Sequence, residues 1–254
     1  MSGAYLAIWV VFVRLRATSA HVLLFGTDMP RALRSDIGGE IYHALNRGNA
    51  RNKIFFKPGD FEAFERVIKE GLEKYPVDLI AYQWMSNHWH MVLSPQTNQA
   101  MSGFLGWVTM THTQRYHAHH KTAGYGPVYQ GRYKSFPVQD DEHFHTVCRY
   151  VERNALRARL VERAEDYRWG SLWNWCGGDS VIKLSTWPVK RLPRWIDRVN
   201  EAITKQEKVG LQNCIQRGCP YGTEKWVART AKDQGLELTL RPQGRPQKFT
   251  QTTK

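Results

Sequence analysis

Two strand-forming runs, Val77 to Met85 and His88 to Leu93, are separated by only Ser86 and Asn87. Two residues are too few for a crossover, so the runs must pair as an antiparallel hairpin. The flanking patterns fix what surrounds it. Glu40 to Asn46 alternates, with Ile41, His43 and Leu45 on one face and Tyr42, Ala44 and Asn46 on the other. Phe61, Phe64, Val67, Ile68, Leu72 and Tyr75 recur at helical spacing behind Asp60, an expected N-cap, and Pro76 stops that helix. A helix over about 100–119, a strand over 132–138 and a helix opening at Asp140-Asp141 and running to about Asn154 complete the pattern. The order strand, helix, strand, strand, helix, strand, helix is a split βαβ arrangement. It predicts an α+β, ferredoxin-like domain whose four-stranded antiparallel sheet carries its helices on one face.

The 254 residues allow one main core with a small appendage. Residues 1–28 hold an apolar run, Ala4 to Val13, too short to span a bilayer, before what reads as a fresh beginning at Met29-Pro30-Arg31. They are expected to be an over-extended gene start. The main domain is expected over 29–175, and a C-terminal appendage with a basic tail over 176–254. A hydrophobic content of 42% excludes wholesale disorder, and a net charge of +13 calls for a polyanionic partner, nucleic acid before membrane. Cys148, Cys176, Cys214 and Cys219 form neither a CxxC pair nor a disulfide framework, which fits a reducing cytoplasm.

Three local patterns could carry chemistry. In His88-Trp89-His90 a strand sends both imidazoles to one face, the geometry of a metal-ligand pair. Taken alone, such a pair reads more readily as two histidines at a solvated strand end. On the last helix, Tyr150 and Asn154 project one turn apart along the edge of the stripe formed by Phe144, Val147, Cys148 and Val151. An Asn amide oxygen beside two imidazoles suits Mg²⁺ or Mn²⁺ better than tetrahedral zinc. Each residue alone would be an ordinary amphipathic tyrosine and a helix C-cap. Finally, Tyr129-Gln130-Gly131-Arg132-Tyr133-Lys134 mixes cationic groups that could hold phosphates with aromatic rings that could stack on unpaired bases. A solvated charged strand explains that segment equally well.

Together, IYHALNRGN, MSNHWHMVL, GPVYQGRYKS, CRYVERNALRARLV and DYRWGSLW stand in an order that resembles the REP-associated tyrosine transposases, relatives of the single-tyrosine HUH insertion-sequence transposases. The resemblance covers about residues 29–175. It implies a catalytic nucleophile at Tyr150, a divalent metal on His88, His90 and Asn154, and no small-molecule cofactor. The implied reaction is nicking and strand transfer of single-stranded or hairpin DNA through a 5′-phosphotyrosine link. A phenol ordinarily ionises near about pH 10 and needs a nearby cation or base to attack phosphorus. Ala155 follows Asn154 where many relatives carry proline, and Ser86-Asn87 replaces a common Pro-Asn; neither change removes a reacting group.

Tyr129, Gln130, Arg132, Tyr133 and Lys134 are the expected DNA contacts. Arg241 and Arg245 join them, from a tail whose Arg241-Pro242-Gln243-Gly244-Arg245-Pro246 is similar to an AT-hook. His112, His117, His119 and His120 are read as solvated or DNA-facing. A monomer is favoured, with a dimer left open, and no membrane partner is expected. The alternative is a non-catalytic, domesticated hairpin-DNA-binding protein or regulator.

Overall fold

The computed structural model describes residues 34–241, and they hold four strands. β1 (Ile41–Arg47) pairs antiparallel with β3 (His88–Pro95) on one side and with β4 (Lys134–Val138) on the other. β2 (Val77–Met85) pairs antiparallel with β3 across the expected two-residue turn, which gives the order β2-β3-β1-β4. This is the ferredoxin-like α+β sheet. Pro137 can sit inside β4 because β4 is an edge strand. Beyond that edge, Tyr221 N donates to the Pro137 carbonyl at 2.9 Å and the Tyr221 carbonyl accepts from Gln139 N at 3.0 Å.

One sheet face is covered by α1 (Pro58–Lys74) and α2 (Ala100–His120). Phe61, Phe64, Val67 and Ile68 of α1 meet Met101, Phe104, Leu105 and Val108 of α2 over Tyr42, Ala44, Tyr82, Trp84, Trp89 and Met91. Burying each such large side chain is worth about 1.5–3 kcal/mol. Gly71 permits the helices to approach, since a Cβ there would lie 2.8 Å from the Phe104 ring. Asp60 is not the N-cap of α1 but its third residue. Pro58, with no N–H to leave unpaired, opens the helix, and Asp60 Oδ2 reaches back to accept from Phe56 N and Lys57 N at 2.8 and 3.2 Å.

The expectation of helices on one face fails. α3 (Glu142–Glu152) packs on the opposite face, where Phe144, Val147, Cys148 and Val151 cover Ile41, Ile80, Ala81, Val92, Phe136 and Val138. Asp141 caps it, accepting from His143 N at 2.8 Å. Buried Glu152 then accepts from Ser171 Oγ at 2.8 Å and from Trp195 Nε1 at 2.7 Å. Trp195, Val199, Leu211, Cys214 and Cys219 join the same cluster, so residues past 176 pack directly on α3. The expected over-extended start (1–28) and the tail beyond 241 lie outside the described residues. No described helix is long and apolar enough to cross a membrane.

Glu65 of α1 is a buried carboxyl beside this apolar cluster. Burial pushes its carboxyl up to about 7. Its folded pKa exceeds the unfolded value, so the native state is penalised as pH rises from about 4.5 through 7. Glu65→Gln is therefore expected to raise the melting temperature more at pH 8 than at pH 5. An equal gain at both pH values would contradict this.

Candidate active site

Strand alternation sends His88, His90 and Val92 to the α3 face of the sheet and Trp89, Met91 and Leu93 to the other. The β1 register adds neighbours, with Arg47 opposite His88, Leu45 opposite His90 and His43 opposite Val92. The His88 and His90 ring centroids are 5.1 Å apart. One nitrogen of each ring is already engaged: His88 Nδ1 meets Asn87 Oδ1 at 2.5 Å, and His90 Nδ1 meets His43 Nε2 at 3.0 Å. That leaves Nε2 of each ring available to a ligand.

Burial holds both rings in the neutral, ligating form. Desolvation, helped by the charges of Arg47 and Arg157, lowers His88 to about 4. It takes His90 well below the ordinary imidazole range, with His88, His43, Arg157 and Arg47 adding to the effect.

Tyr150 is delivered from above by α3. Its ring lies edge-on to His90 at 5.8 Å between centroids and to His43 at 6.3 Å, and it is 6% exposed. The helix does not continue to Asn154 as the periodicity suggested. It ends at Glu152, and a short α4 (Asn154–Arg157) begins after Arg153. Asn154 is buried, its Oδ1 accepts from Arg157 Nη2 at 2.7 Å, and its Nδ2 has no partner among the described residues. The Arg157 guanidinium also lies 5.1 Å from the centroid of the Tyr150 ring.

The donor set fits a divalent cation at the two histidines, each with a free Nε2. Asn154 can add its amide oxygen only by giving up or sharing the bond from Arg157. Two other groupings of histidine and carboxylate occur among the described residues, Asp60–His119–His120 and Asp141–Glu142–His143. In both, the aspartate is already committed to a helix N-terminus.

The expected DNA contacts divide. Gln130, Arg132 and Lys134 are exposed, while Tyr129 and Tyr133 are each only 6% exposed and belong to the core. The Tyr129 hydroxyl accepts from Trp89 Nε1 at 3.3 Å and meets His112 Nδ1 at 2.7 Å. Tyr133 meets Ser102 Oγ at 3.0 Å. Neither ring can stack on a base without leaving the core, so their reading as stacking platforms is corrected. His112, read as solvated or DNA-facing, is likewise buried.

Val128 to Gly131 docks against the end of β1, where Gln130 N donates to the Arg47 carbonyl at 2.9 Å and Asn46 Nδ2 to Gly131 O at 3.2 Å. Lys134 lies opposite Leu45, on the histidine side of the sheet. Arg241 is exposed, and its carbonyl accepts from Arg217 Nη2; Arg245 lies outside the described residues.

Sequence reasoning missed His43, Arg47 and Arg157. The first two continue the parity of Ile41 and Leu45, and β1 beside β3 in the expected topology would have placed them next to the histidine pair. Arg157 stands seven residues, two helical turns, after Tyr150.

Residues 39–154 match the profile of the family described as "Transposase IS200 like". That stretch, somewhat under half of the chain, is similar to the IS200-like transposases. No curated protein sequence matches. Among solved structures, the chain is similar to the REP-associated tyrosine transposase bound to a REP hairpin, at 13% identity over 70% of this chain and 100% of that one, with a TM-score of 0.49. It is also similar to a candidate transposase from Deinococcus radiodurans R1, at 14% identity over 48% of this chain and 93% of that one, with a TM-score of 0.35.

Proposed function

We propose that this chain is an IS200-like transposase of the REP-associated branch, which nicks single-stranded DNA beside a hairpin and rejoins it through a 5′-phosphotyrosine intermediate. The observation that supports this most is the convergence of three groups. Tyr150 packs 5.8 Å, ring to ring, from His90, with His88 on the same face and Arg47 and Arg157 alongside. The motif order from IYHALNRGN to DYRWGSLW favours the REP-associated branch within the family.

In this reading His88, His90 and Asn154 would hold a divalent ion, Mg²⁺ or Mn²⁺, through their free imidazole nitrogens and amide oxygen. The bound ion would supply Lewis-acid polarisation of the scissile phosphate. Arg47 and Arg157 hold the phosphate oxygens and stabilise charge that builds in the transition state. The Tyr150 oxygen attacks phosphorus and its proton passes to solvent, while the bond to the 3′ oxygen breaks and that oxygen takes a proton from solvent to become a free 3′-hydroxyl. The phosphotyrosine ester conserves the bond energy, so another 3′-hydroxyl can reverse the reaction with no further energy source. Tyr150 lies over the histidines of its own chain, which favours a monomer as the acting species.

The test is covalent capture. A single strand labelled at its 3′ end and carrying a hairpin should leave labelled DNA on the denatured protein, and protease should release it. A protein that only binds DNA would release all label on denaturation.

Exposed Arg132 and Lys134 contribute phosphate contacts. Arg132→Ala and Lys134→Ala are each expected to weaken binding to all hairpins alike and to reduce the salt dependence by about one counterion. Loss confined to one hairpin sequence, in titrations across a salt series, would instead assign them to base reading.

A further inference from the structure

Of the buried groups around the candidate site, His43 is the one that the chemistry above leaves without a task. It is fully buried in β1, wedged against the rings of His90, Phe136 and Tyr150 at centroid distances of 5.1, 4.9 and 6.3 Å. Its Nε2 lies 3.0 Å from His90 Nδ1, while its Nδ1 has no partner among the described residues. A residue serving only to fill this space would be apolar. An imidazole with one nitrogen buried and unpaired costs about 1–3 kcal/mol. The fold keeps that cost at a position from which His90 Nδ1 is reached.

We propose that His43 is a positioning residue that fixes the tautomer and orientation of His90, accepting a hydrogen bond from His90 Nδ1–H so that His90 Nε2 faces the metal. A metal-bound histidine almost always donates its other ring N–H to an acceptor, usually a carboxylate, a backbone carbonyl or water. Among the described residues no carboxylate or carbonyl meets His90 Nδ1; a second imidazole does. His43 accepts through Nε2 as a neutral ring. Its proton then sits on Nδ1. The opposite arrangement, with His43 donating to His90, would put the His90 proton on Nε2 and block ligation. The pair thus has two states, and a metal selects one of them.

This inference rests on His90 being a metal ligand, and the experiment separates the two claims. Mn²⁺ binding to the full chain, followed by the loss of the free-ion electron paramagnetic resonance signal, should weaken about 10–100-fold in His43→Leu. His43→Gln, whose amide oxygen can still accept, should stay close to wild type. His90→Ala is the control. If it leaves Mn²⁺ affinity unchanged, the ligand assignment falls and this proposal with it. If His90→Ala abolishes binding while His43→Leu does not weaken it, only the role of His43 is overturned. Equal losses in His43→Leu and His43→Gln would reduce His43 to packing and overturn it too.

Should His43→Leu fail to fold, the wild-type protein still decides. In its Mg²⁺-saturated form, ¹H–¹⁵N spectra of the histidine rings should show the His90 proton on Nδ1 and that of His43 also on Nδ1. A His90 proton on Nε2 would refute the proposal.

Discussion

Tyr150→Phe is expected to abolish covalent capture of DNA, a loss on the order of 10⁴-fold or more, comparable to removal of a covalent nucleophile elsewhere. The substitution deletes one oxygen and keeps the ring. That ring makes the contacts with His90 at 5.8 Å, with His43 at 6.3 Å and with the Arg157 guanidinium at 5.1 Å. Among the described residues the Tyr150 hydroxyl forms no hydrogen bond, so its removal orphans no buried partner. Stability should change by less than about 1 kcal/mol. Hairpin binding, carried by exposed cations such as Arg132 and Lys134, should persist within a few-fold. Three measurements on one preparation decide the matter: label retained on denatured protein, a native gel-shift titration and a melting curve. Adduct at the wild-type amount in a folded, DNA-binding Tyr150→Phe protein would place the nucleophile elsewhere and remove the basis of the proposed reaction.

The elements that the sequence discloses best are those set by short-range constraints. The two-residue turn at Ser86-Asn87 forces the β2–β3 hairpin, and the alternation through His88-Trp89-His90 puts two imidazoles on one face whatever surrounds them. The elements misread are those that tertiary packing decides. Tyr129 to Lys134 alternates rings with charges, and the alternation alone does not say that the core takes the rings, Tyr129 and Tyr133, and leaves Gln130, Arg132 and Lys134 exposed. The split βαβ order is silent about the second sheet face. That face is apolar at Ile80, Val92, Phe136 and Val138, which is the signal that α3 and the C-terminal segments would cover it. The break between α3 and α4 at Arg153 has no glycine or proline to announce it. His43 was legible as a strand residue but not as a partner of His90, because that pairing depends on which strands are neighbours.

The second large effect is expected at the histidine pair, where His88→Ala and His90→Ala should each slow DNA cutting about 10²–10⁴-fold, while Asn154→Ala slows it about tenfold. The order follows from what each side chain does in the fold. His88 and His90 each present an Nε2 whose partner ring nitrogen is already held, so removing either leaves one imidazole to orient the ion. The Asn154 oxygen is shared with Arg157, and water can take a ligand position that it vacates. Excess Mn²⁺ should therefore rescue Asn154→Ala more than either histidine variant.

His90→Ala carries a second cost. It strips His43 Nε2 of its hydrogen bond inside the core, a penalty of about 1–3 kcal/mol, whereas His88 is only partly buried and its Nδ1 partner Asn87 lies in the turn. His90→Ala should accordingly lower the melting temperature more than His88→Ala even though both lose cutting. Cutting rates across an Mn²⁺ series, paired with melting curves, separate the two effects. If His88→Ala retains wild-type cutting with an unaltered metal requirement, the ion is held by other residues, and the histidine pair is part of the sheet's packing and not of its chemistry.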